Sequence, residues 1–379
     1  MNQFTTDYVG LDVHKDSVDI SIASGSESGE VRHVGKVDGD LHAIDRALER
    51  LAKAGRVLKV VYEAGPCGFV LQRYLASKGI DCEVVAPSLI PRRSGQRIKT
   101  DRRDSLQLAR LARARELTPV RVPQPEDEAM RDLVRAREDA MREQRNARHR
   151  LKALLLRNGI RYTGGKKSWT KAHERWLGEL KLPHAAQQIA FQEYVHSIAE
   201  SSARIERLEQ ALRNALAGWS HAPVVMALQA LRGIQLLAAM TLVVEIQDFH
   251  RFSHPRRLMA YLGLVPSEHS SGQHRHQGGI TKSGNRAARR ILVEIAHHYR
   301  HHARVSDTIA RRQADLPKAV TDIAWAAQLR LCGRYRKLRA RGVLPNKVAV
   351  AIAREMVGFV WAIARQVNGL PAGTRCVAA

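Results

Sequence analysis

The chain has 379 residues, enough for two or three domains with apolar cores, and its 44% hydrophobic and 26% charged residues are ordinary for a globular protein. Arg and Lys number 62 against 37 Asp and Glu, and this formal net charge of +25 opposes folding unless a polyanion such as nucleic acid offsets it. No apolar run approaches the ~20 residues of a membrane-spanning helix, so a membrane partner is not expected.

Strand and helix patterns alternate through residues 1–125, which we predict to form one domain. Short apolar or alternating runs predict strands, and apolar spacing of three and four predicts helices. In chain order the predicted elements are three strands (8–13, 17–23, 31–37), a helix (41–54), a strand (56–62), a helix (69–78), a strand (80–85) and a helix (101–116). The first three strands suit an antiparallel meander, and the whole order is typical of the mixed sheet of a ribonuclease-H-like α/β fold.

The segment 126–220 is predicted to be mainly helical, with breaks near 158–165 and around Pro183. Its apolar residues form narrow stripes at three-four spacing among many Arg residues. This pattern is typical of an antiparallel or an intermolecular coiled coil, and a plain helical bundle fits it equally well.

Residues 221–330 are predicted to form a further, mainly helical domain, followed by C-terminal helices over 331–379. The sequence LRGI at 231–234 lies between two apolar helical stretches, much as a helix-hairpin-helix element places a glycine turn against a DNA phosphate. Beyond it we predict a helix over 252–263, a loop rich in Gly, Ser and His over 266–284, and a strongly basic helix over 285–302.

Four carboxylates in the first domain stand at unusual places. Asp12 and Glu63 interrupt or end apolar strands, where a charge is costly unless a cation or partner offsets it. Asp101 and Asp104 are spaced i, i+3 on one face of a helix's first turn. Neighbouring parallel strands would bring the first two together, and the helix start would add the others. From spacing alone, a helix N-terminus explains the second pair equally well, and a turn explains Asp12.

Such a cluster suits two Mg²⁺ ions, because hard cations prefer oxygen ligands and paired metals stabilise the attacking and leaving oxygens of phosphoryl transfer. Basic side chains beside the cluster would draw DNA phosphates towards it. These predicted nucleic-acid contacts are Arg92, Arg93, Arg97, Lys99, Arg102 and Arg103.

Three segments resemble the DEDD motif of the insertion sequence 110 family of transposases: DVHKD with an upstream YVG, YEAGPCGF, and IKTDRRDSLQLARL. The KTDRRD segment is the most specific of them. The resemblance implies a RuvC-like nuclease domain whose four catalytic and metal-binding acids are Asp12, Glu63, Asp101 and Asp104.

The stretch from LRGI to AARRIL resembles the C-terminal transposase domain of the same family, through GLVP, SSG and GGITKSGN. The resemblance implies a catalytic serine at Ser271, with Ser270 and Ser267 close by, and a covalent phosphoserine link to DNA. Apart from the resemblance, a serine nucleophile needs activation and charge stabilisation. The basic residues that would hold the scissile phosphate are Arg275, Lys282, Arg286, Arg289 and Arg290. Taken alone, these residues also fit a Ser/Gly loop followed by a DNA-binding helix.

The resemblance implies a DNA transposase that excises and inserts an insertion sequence by Mg²⁺-dependent strand cleavage and exchange. It also implies a noncoding bridge RNA that pairs with target and donor DNA. A homo-oligomer is implied too, a dimer or tetramer in which the acidic site of one subunit works with the serine domain of another. Three alternatives stay open: a site-specific DNA invertase of the pilin-inversion type, a RuvC-like junction nuclease that forms no covalent intermediate, and a non-enzymatic nucleic-acid-binding protein.

Other potential ligand residues point to no site. His297 and His301 have the i, i+4 spacing of a helical zinc site but lack a defined third ligand, so we expect them to face solvent or phosphate. The four cysteines form no CxxC pair and are expected to be reduced thiols. Because the N-terminus lacks a signal-peptide pattern, we expect a bacterial cytoplasmic protein that associates with the nucleoid.

Overall fold

A computed structural model describes residues 6–25, 29–52, 56–91, 100–165, 168–271, 274 and 276–367. The chain divides into two compact units, Met1–Val122 and Pro123–Ala379. The first unit is a mixed α/β domain, and the second is almost entirely helical.

The described residues of the first unit form five strands: β1 (Thr6–Val13), β2 (Ser17–Ala23), β3 (Val31–Asp38), β4 (Val57–Glu63) and β5 (Asp81–Val85). They form one sheet in the order β3-β2-β1-β4-β5. The first three strands pair antiparallel, which confirms the predicted meander, whereas β4 runs parallel to β1 and β5 runs parallel to β4. The carboxyl ends of β1 and β4 therefore meet at one edge of the sheet.

Helices cover both faces of this sheet: α1 (Leu41–Ala52), α2 (Val70–Ser77) and α3 (Asp101–Arg113). Val60 and Val61 are consecutive on β4 and point to opposite faces. Val60 lies in the apolar core that contains Ile44 of α1 and Leu75 of α2, whereas Val61 packs with Leu108 of α3. Of the helices that the structure describes in this unit, α3, which begins with the two predicted acids, is the one that packs on the face of Val61.

The second unit begins with a long helical hairpin: α4 (Pro125–Arg157), the short α5 (Lys171–Glu179) and α6 (Ala185–Leu216). Near the start of α4, Asp127 accepts a hydrogen bond from the indole of Trp219, just beyond the end of α6, at 2.9 Å. Just after α4, the Asn158 side chain accepts one from Gln187, near the start of α6, also at 2.9 Å. The two long helices therefore pair antiparallel within one chain.

After the hairpin, the described part of the second unit contains seven helices: α7 (Ala222–Leu228), α8 (Leu236–Ile246), α9 (Pro255–Tyr261), α10 (Arg286–Ala296), α11 (Asp307–Gln313), α12 (Lys318–Ala340) and α13 (Pro345–Val367). One large apolar core joins helices α7 through α10, α12 and α13 to the base of the hairpin. For example, Met130 of α4 and Leu212 of α6 belong to the same buried cluster as Val243 and Ile352. The base of the hairpin is therefore firmly held.

The segment 266–284 is not the plain loop that the sequence predicts. It contains a two-stranded antiparallel hairpin of β6 (Pro266–Glu268) and β7 (Gln277–Ile280). Both strands are largely exposed, so they pair through their backbones without an apolar face that the sequence would reveal. The predicted helix over 285–302 also ends early, at Ala296, and continues as a single 3₁₀ turn at His297–Arg300.

The predicted glycine turn joins α7 to α8. Gly233 has φ +83°, a conformation that favours glycine, and a Cβ atom there would lie 2.9 Å from the His298 ring and 3.0 Å from the Ile295 side chain. Leu231 and Ile234 on either side are fully buried. The glycine thus lets the turn pack against α10 and the 3₁₀ turn, and its contact with a DNA phosphate stays a prediction.

Candidate metal centre and serine hairpin

The two strand acids lie at the carboxyl ends of neighbouring parallel strands. The pairing of β1 with β4 ends at Leu11 and Tyr62, and the next residues along the two strands are Asp12 and Glu63. Across β2, Asp12 is also paired with Asp19. The Asp12 side chain is only 16% exposed, so its carboxylate has lost most of its contact with water.

The first turn of α3 brings further carboxylates to this edge. Thr100 caps the helix by accepting a hydrogen bond from the Arg103 backbone amide at 3.4 Å. Along the helix, the buried hydroxyls of Ser105 and Ser21 are 2.7 Å apart, which ties α3 to β2. The possible ligand atoms of Asp12, His14 and Asp101 all lie within 4.8 Å of one another.

The electrostatics of this cluster disfavour additional negative charge. Burial raises the pKa of the Asp12 carboxyl, and the charges of Asp104 and Asp101 raise it further. His14 opposes these effects through its hydrogen bond to Asp12 and its charge. A cation placed among the carboxylates would relieve the same repulsion.

Two basic side chains that were not among the predicted site residues, His14 and Lys36, also belong to the cluster. His14 Nε2 lies 3.3 Å from Asp12 and 3.5 Å from Asp101. Lys36 Nζ lies 3.7 Å from Asp101 and 3.8 Å from the buried Asp19. His14 could have been noticed, because it stands within the DVHKD segment, whereas Lys36 reaches the site only through the pairing of β2 with β3.

The donor chemistry of the cluster fits a hard divalent cation, which prefers carboxylate oxygens. Asp12 and Asp101 supply these oxygens within the close group, and the charge of Asp104 acts on Asp12. Glu63 stands at the same edge of the sheet but is not a member of the close group. Among the residues that the structure describes, no other group of three such side chains lies together, so His297 and His301 lack a third ligand.

Of the six basic residues predicted to contact nucleic acid near the start of α3, the structure describes two. Arg92, Arg93, Arg97 and Lys99 lie outside the described residues. Arg102 and Arg103 are exposed in the first turn of α3, next to the two acids of that turn.

The serine-rich segment lies on the β6–β7 hairpin. The Ser267 hydroxyl donates a hydrogen bond to the Gly279 carbonyl at 3.2 Å. The Ser270 hydroxyl donates to Glu268 at 3.0 Å and accepts from the His276 backbone amide at 3.3 Å. Both hydroxyls are thus engaged within the hairpin.

Ser271 differs from these two serines. Its backbone pairs with that of His274 in a single antiparallel bridge, with N···O distances of 3.2 and 3.1 Å. Its side chain is exposed, and no hydrogen bond joins its hydroxyl to another described residue. Residues 272, 273 and 275, and with them Arg275, lie outside the described residues.

Two of the predicted phosphate-binding residues have partners within the protein. Arg289 donates to the carbonyls of Leu262 and Ser283, each at 2.8 Å. Arg290 pairs with Glu138 at 2.6 Å and with Glu294 at 3.3 Å. These contacts hold α10 against its neighbours in the second unit.

Two further predicted phosphate-binding residues, Lys282 and Arg286, face open space. Lys282 is exposed, with φ +57°. Arg286 is exposed and lines an open cavity of about 330 Å³, whose other charged residues are Arg135, Arg142, Glu138, Asp139 and Glu245. These two side chains therefore remain accessible to an anion.

Two family models match the chain. One is described as "Transposase IS116/IS110/IS902 family" and matches residues 225–311, which include the serine hairpin and α10. The other, a DEDD-type transposase model named for insertion sequence 110, matches residues 9–158, from β1 beyond the end of α4. These matches cover both candidate sites.

Two relatives extend the likeness over almost the whole chain. A Sinorhizobium fredii protein named "Putative transposase y4qE" is 45% identical over 359 residues, which are 95% of this chain and 88% of the relative. The transposase for insertion sequence element IS1533 of Leptospira borgpetersenii is 30% identical over 336 residues, which are 88% of this chain and 97% of the relative. The chain belongs to the IS116/IS110/IS902 family of transposases.

Membership of this family assigns the chain to DNA transposition. The transposase is thus an enzyme that cleaves and rejoins DNA, and DNA is its substrate. Its DEDD-type domain goes with the use of a divalent metal, which the carboxylates around Asp12 are suited to hold. In the described part of the transposase, no helix is both long and apolar enough to cross a bilayer.

Proposed function

We propose that this transposase excises and inserts an insertion sequence by a two-part reaction. An acidic site with Mg²⁺ ions in a ribonuclease-H-like, RuvC-like domain acts together with Ser271, which becomes bonded to DNA. The observation that carries the proposal is the acidic cluster at the carboxyl edge of β1 and β4, where burial and neighbouring acids raise the pKa of Asp12. The sheet order, three antiparallel strands followed by two parallel ones, supports the fold assignment.

In this proposal Asp12, Glu63, Asp101 and Asp104 would hold two Mg²⁺ ions. When bound, the ions supply Lewis-acid stabilisation of charge on the phosphate oxygens. The protein contributes rigid placement: β1 and β4 fix the first two acids, and α3, held against the sheet, fixes the others. His14 and Lys36 limit the charge of the cluster by pairing with its outer carboxylate.

Ser271 is the proposed nucleophile. Its Oγ attacks the scissile phosphorus, a P–Oγ bond forms, and the P–O bond to the deoxyribose of the leaving strand breaks. The hydroxyl proton passes to a general base, and the leaving oxygen takes up a proton. In the reverse step a deoxyribose hydroxyl attacks the phosphoserine, so the strand is rejoined without loss of bond energy. The exposed hydroxyl of Ser271, with no hydrogen-bond partner among the described residues, supports this choice over Ser267 and Ser270.

The family resemblance leads us to infer three further properties. We infer a bridge RNA that pairs with donor and target DNA, a dimer or tetramer, and association with the bacterial nucleoid. The formal net charge of +25 supports binding to polyanions of either kind. Lys282 and Arg286, which have open surroundings, are the best placed of the proposed phosphate contacts on the second unit.

The test incubates the full-length protein with Mg²⁺, co-expressed RNA and junction DNA, and looks for a protein–DNA adduct that survives denaturant. We expect the adduct with the wild type and with Ser270→Ala, and none with Ser271→Ala. We expect Asp12→Ala and Asp104→Ala to abolish cleavage, a loss of at least about 100-fold, while nucleic-acid binding persists.

Each arm has its own contradicting outcome. An unchanged adduct in Ser271→Ala would remove Ser271 as the nucleophile. Cleaved DNA without any adduct in the wild type would indicate simple hydrolysis by a junction nuclease. Full cleavage by Asp12→Ala would show that the acidic cluster does not hold the catalytic metal.

A further inference from the structure

The helical hairpin of α4, α5 and α6 has two parts of different character. The Gln144 and Ser202 side chains are hydrogen-bonded at 2.7 Å, and we use this contact as the boundary between the two parts. We call residues 126–144 and 202–216 the hairpin stem and residues 145–201 the hairpin tip. The stem base joins the large core of the second unit. The tip has an apolar core of its own, which includes Leu151, Leu155, Leu177 and Phe191. At 1.5 Å per residue, the 33 residues of α4 place the far end of the tip about 50 Å from the start of the helix.

The two parts carry opposite charge. The stem has 7 Arg and Lys residues and 9 Asp and Glu residues. The tip has 11 Arg and Lys residues against four acids, Glu174, Glu179, Glu193 and Glu200. More than a quarter of the net positive charge of the whole chain therefore lies on the 57 residues of the tip.

The cations also differ in their partners. In the stem, Arg142 pairs with Asp139, Arg204 with Glu143, and both Arg137 and Arg213 with Glu209. Within the described part of the tip, no Arg or Lys forms an ion pair with a carboxylate. Like charges that are held together without partners raise the free energy of the protein unless an external anion binds them.

The tip presents these cations on an ordered surface. Trp169 lies beneath the guanidinium of Arg148, with 4.8 Å from the Arg Cζ to the ring centroid. The rings of Tyr162 and Trp176 pack on the buried His173, at centroid distances of 4.8 and 5.5 Å. These contacts hold Trp169 at φ +66°, a conformation that a bulky side chain rarely adopts. The same contacts pack Tyr162 and Trp169, two described residues of the connector between α4 and α5, against the neighbouring helices.

We propose that the hairpin tip is a binding surface for the sugar-phosphate backbone of a nucleic acid. Exposed cations from three elements contribute to it: Arg157 in the last turn of α4, Arg161 in the connector and Arg175 on α5. A backbone of regularly spaced phosphates matches a surface on which unpaired positive charges are spread, and it requires no base-specific contact. The site is separate from the acidic cluster and from the serine hairpin in the sequence.

The strongest competing partner is a second copy of the chain, because the stem carries net negative charge. At least four of the stem carboxylates, Glu138, Asp139, Glu143 and Glu209, are already paired with Arg side chains, so they offer less free charge than a phosphate backbone does. We therefore favour nucleic acid and let the experiment distinguish the two partners.

The test compares two triple variants of the full-length, RNA-free protein. The tip variant is Arg157→Gln, Arg161→Gln and Arg175→Gln. The control variant removes the same charge from ion-paired stem residues, by Arg142→Gln, Arg204→Gln and Arg213→Gln. Affinities for a labelled DNA duplex and for a labelled RNA duplex are measured by fluorescence anisotropy at a series of salt concentrations. EDTA is present, so the result does not depend on strand cleavage or on the proposed serine chemistry.

The association constant K falls as salt rises, and each phosphate contact contributes ~0.9 to the steepness of log K against log salt on a duplex. We therefore expect the tip variant to make this dependence less steep by about 2–3. The control variant should keep the wild-type slope. Replacing the three tip residues by Lys should restore it, because Lys neutralises a phosphate equally well. A loss confined to one duplex identifies DNA or RNA as the ligand.

Three results would overturn the proposal. The first is a wild-type slope and affinity for the tip variant on both duplexes. The second is an equal loss in both triple variants, which would make the effect one of total charge. The third is unchanged nucleic-acid binding together with a shift to smaller oligomers in sedimentation, which would assign the tip to a second copy of the chain.

Discussion

At Gly10 of β1, the backbone of α3 packs directly against the strand. A Cβ atom there would overlap the Ser105 carbonyl oxygen and would lie 2.5 Å from the Ala109 backbone nitrogen. Since neither backbone atom can turn aside, Gly10→Ala must push α3 away from the sheet. We expect the free energy of unfolding to fall by about 1–3 kcal/mol, the usual cost of overpacking. Urea unfolding followed by circular dichroism measures it.

The same variant should lose activity beyond its loss of stability. Displacement of α3 moves Asp101 and Asp104 relative to Asp12, so DNA cleavage should fall even at temperatures where the variant is fully folded. Gly65→Ala is the matched control, because a Cβ atom at Gly65 meets nothing nearer than 3.9 Å. Wild-type stability and cleavage in Gly10→Ala would show that α3 can shift without cost.

At this scale the sequence predicts the acids and misses their basic neighbours. Asp12 and Glu63 stand out because they interrupt apolar strands, and Asp101 with Asp104 because of their helical spacing. Lys36 does not stand out, since it reaches Asp101 only through the register that sets it opposite Asp19. That pairing contains a bulge between Ile20 and Ser21, which no local pattern indicates.

Among the elements, α10 is preceded by Asn285, whose side chain makes two hydrogen bonds with different roles. The Asn285 side chain accepts a hydrogen bond from the Ala288 backbone amide at 2.9 Å, which caps the helix. It also donates to the carboxylate of Glu245, which is buried and held by Arg135. The last residue of the GGITKSGN segment therefore links α10 to α8 as well as standing near the serine hairpin.

Asn285→Ala should lower the free energy of unfolding by about 2–4 kcal/mol, from about 1 kcal/mol for the lost cap and 1.5–3 kcal/mol for the hydrogen bond to a charged group. Asn285→Ser keeps an oxygen that can cap α10, but its hydroxyl cannot donate to Glu245 as the Asn285 amide does. This variant should therefore lose only about 1.5–3 kcal/mol, the contribution of the hydrogen bond to the charged group. Denaturant titration of the three proteins measures the difference. Equal stability of Asn285→Ala and wild type would mean that neither contact stabilises the fold.

The sequence predicts a strand or helix correctly where buried apolar residues recur at regular spacing along the chain. It fails where an element has no buried face. The strand predicted over 17–23 is observed as Ser17–Ala23, because its core-facing residues are consistently apolar. The exposed hairpin of β6 and β7 leaves no such trace, and a loop is the natural prediction for its Gly, Ser and His residues. The pairing of α4 with α6 within one chain was one of three open alternatives, since heptad-like stripes do not identify the partner helix.

For the whole molecule, composition predicts the class of partner but not where it binds. The net charge of +25 indicates a polyanion from the sequence alone. The concentration of unpaired charge on the hairpin tip becomes visible only when the antiparallel pairing shows which Arg residues of α4 and α6 meet carboxylates. Sequence distance alone does not separate paired from unpaired cations.

The division into two units leads to a prediction about the metal. The apolar cores of the first unit consist entirely of residues from Met1–Val122, so we expect this fragment to fold alone and to melt cooperatively. If its acidic cluster binds Mg²⁺ with Kd of about 1 mM, about 10 mM Mg²⁺ stabilises the folded fragment by about 1.4 kcal/mol. That corresponds to a rise of roughly 3–6 °C in Tm for a domain of this size.

Differential scanning calorimetry of the fragment, with and without Mg²⁺, measures the shift. Asp101→Asn removes one of the carboxylate oxygens close to Asp12, so this variant should gain less from Mg²⁺ than wild type does. Glu49→Gln, which removes an exposed carboxylate on α1, should keep the full wild-type gain. An equal Mg²⁺ shift in all three fragments would trace the stabilisation to general screening of charge, and the acidic edge of the sheet would then not be where the metal binds.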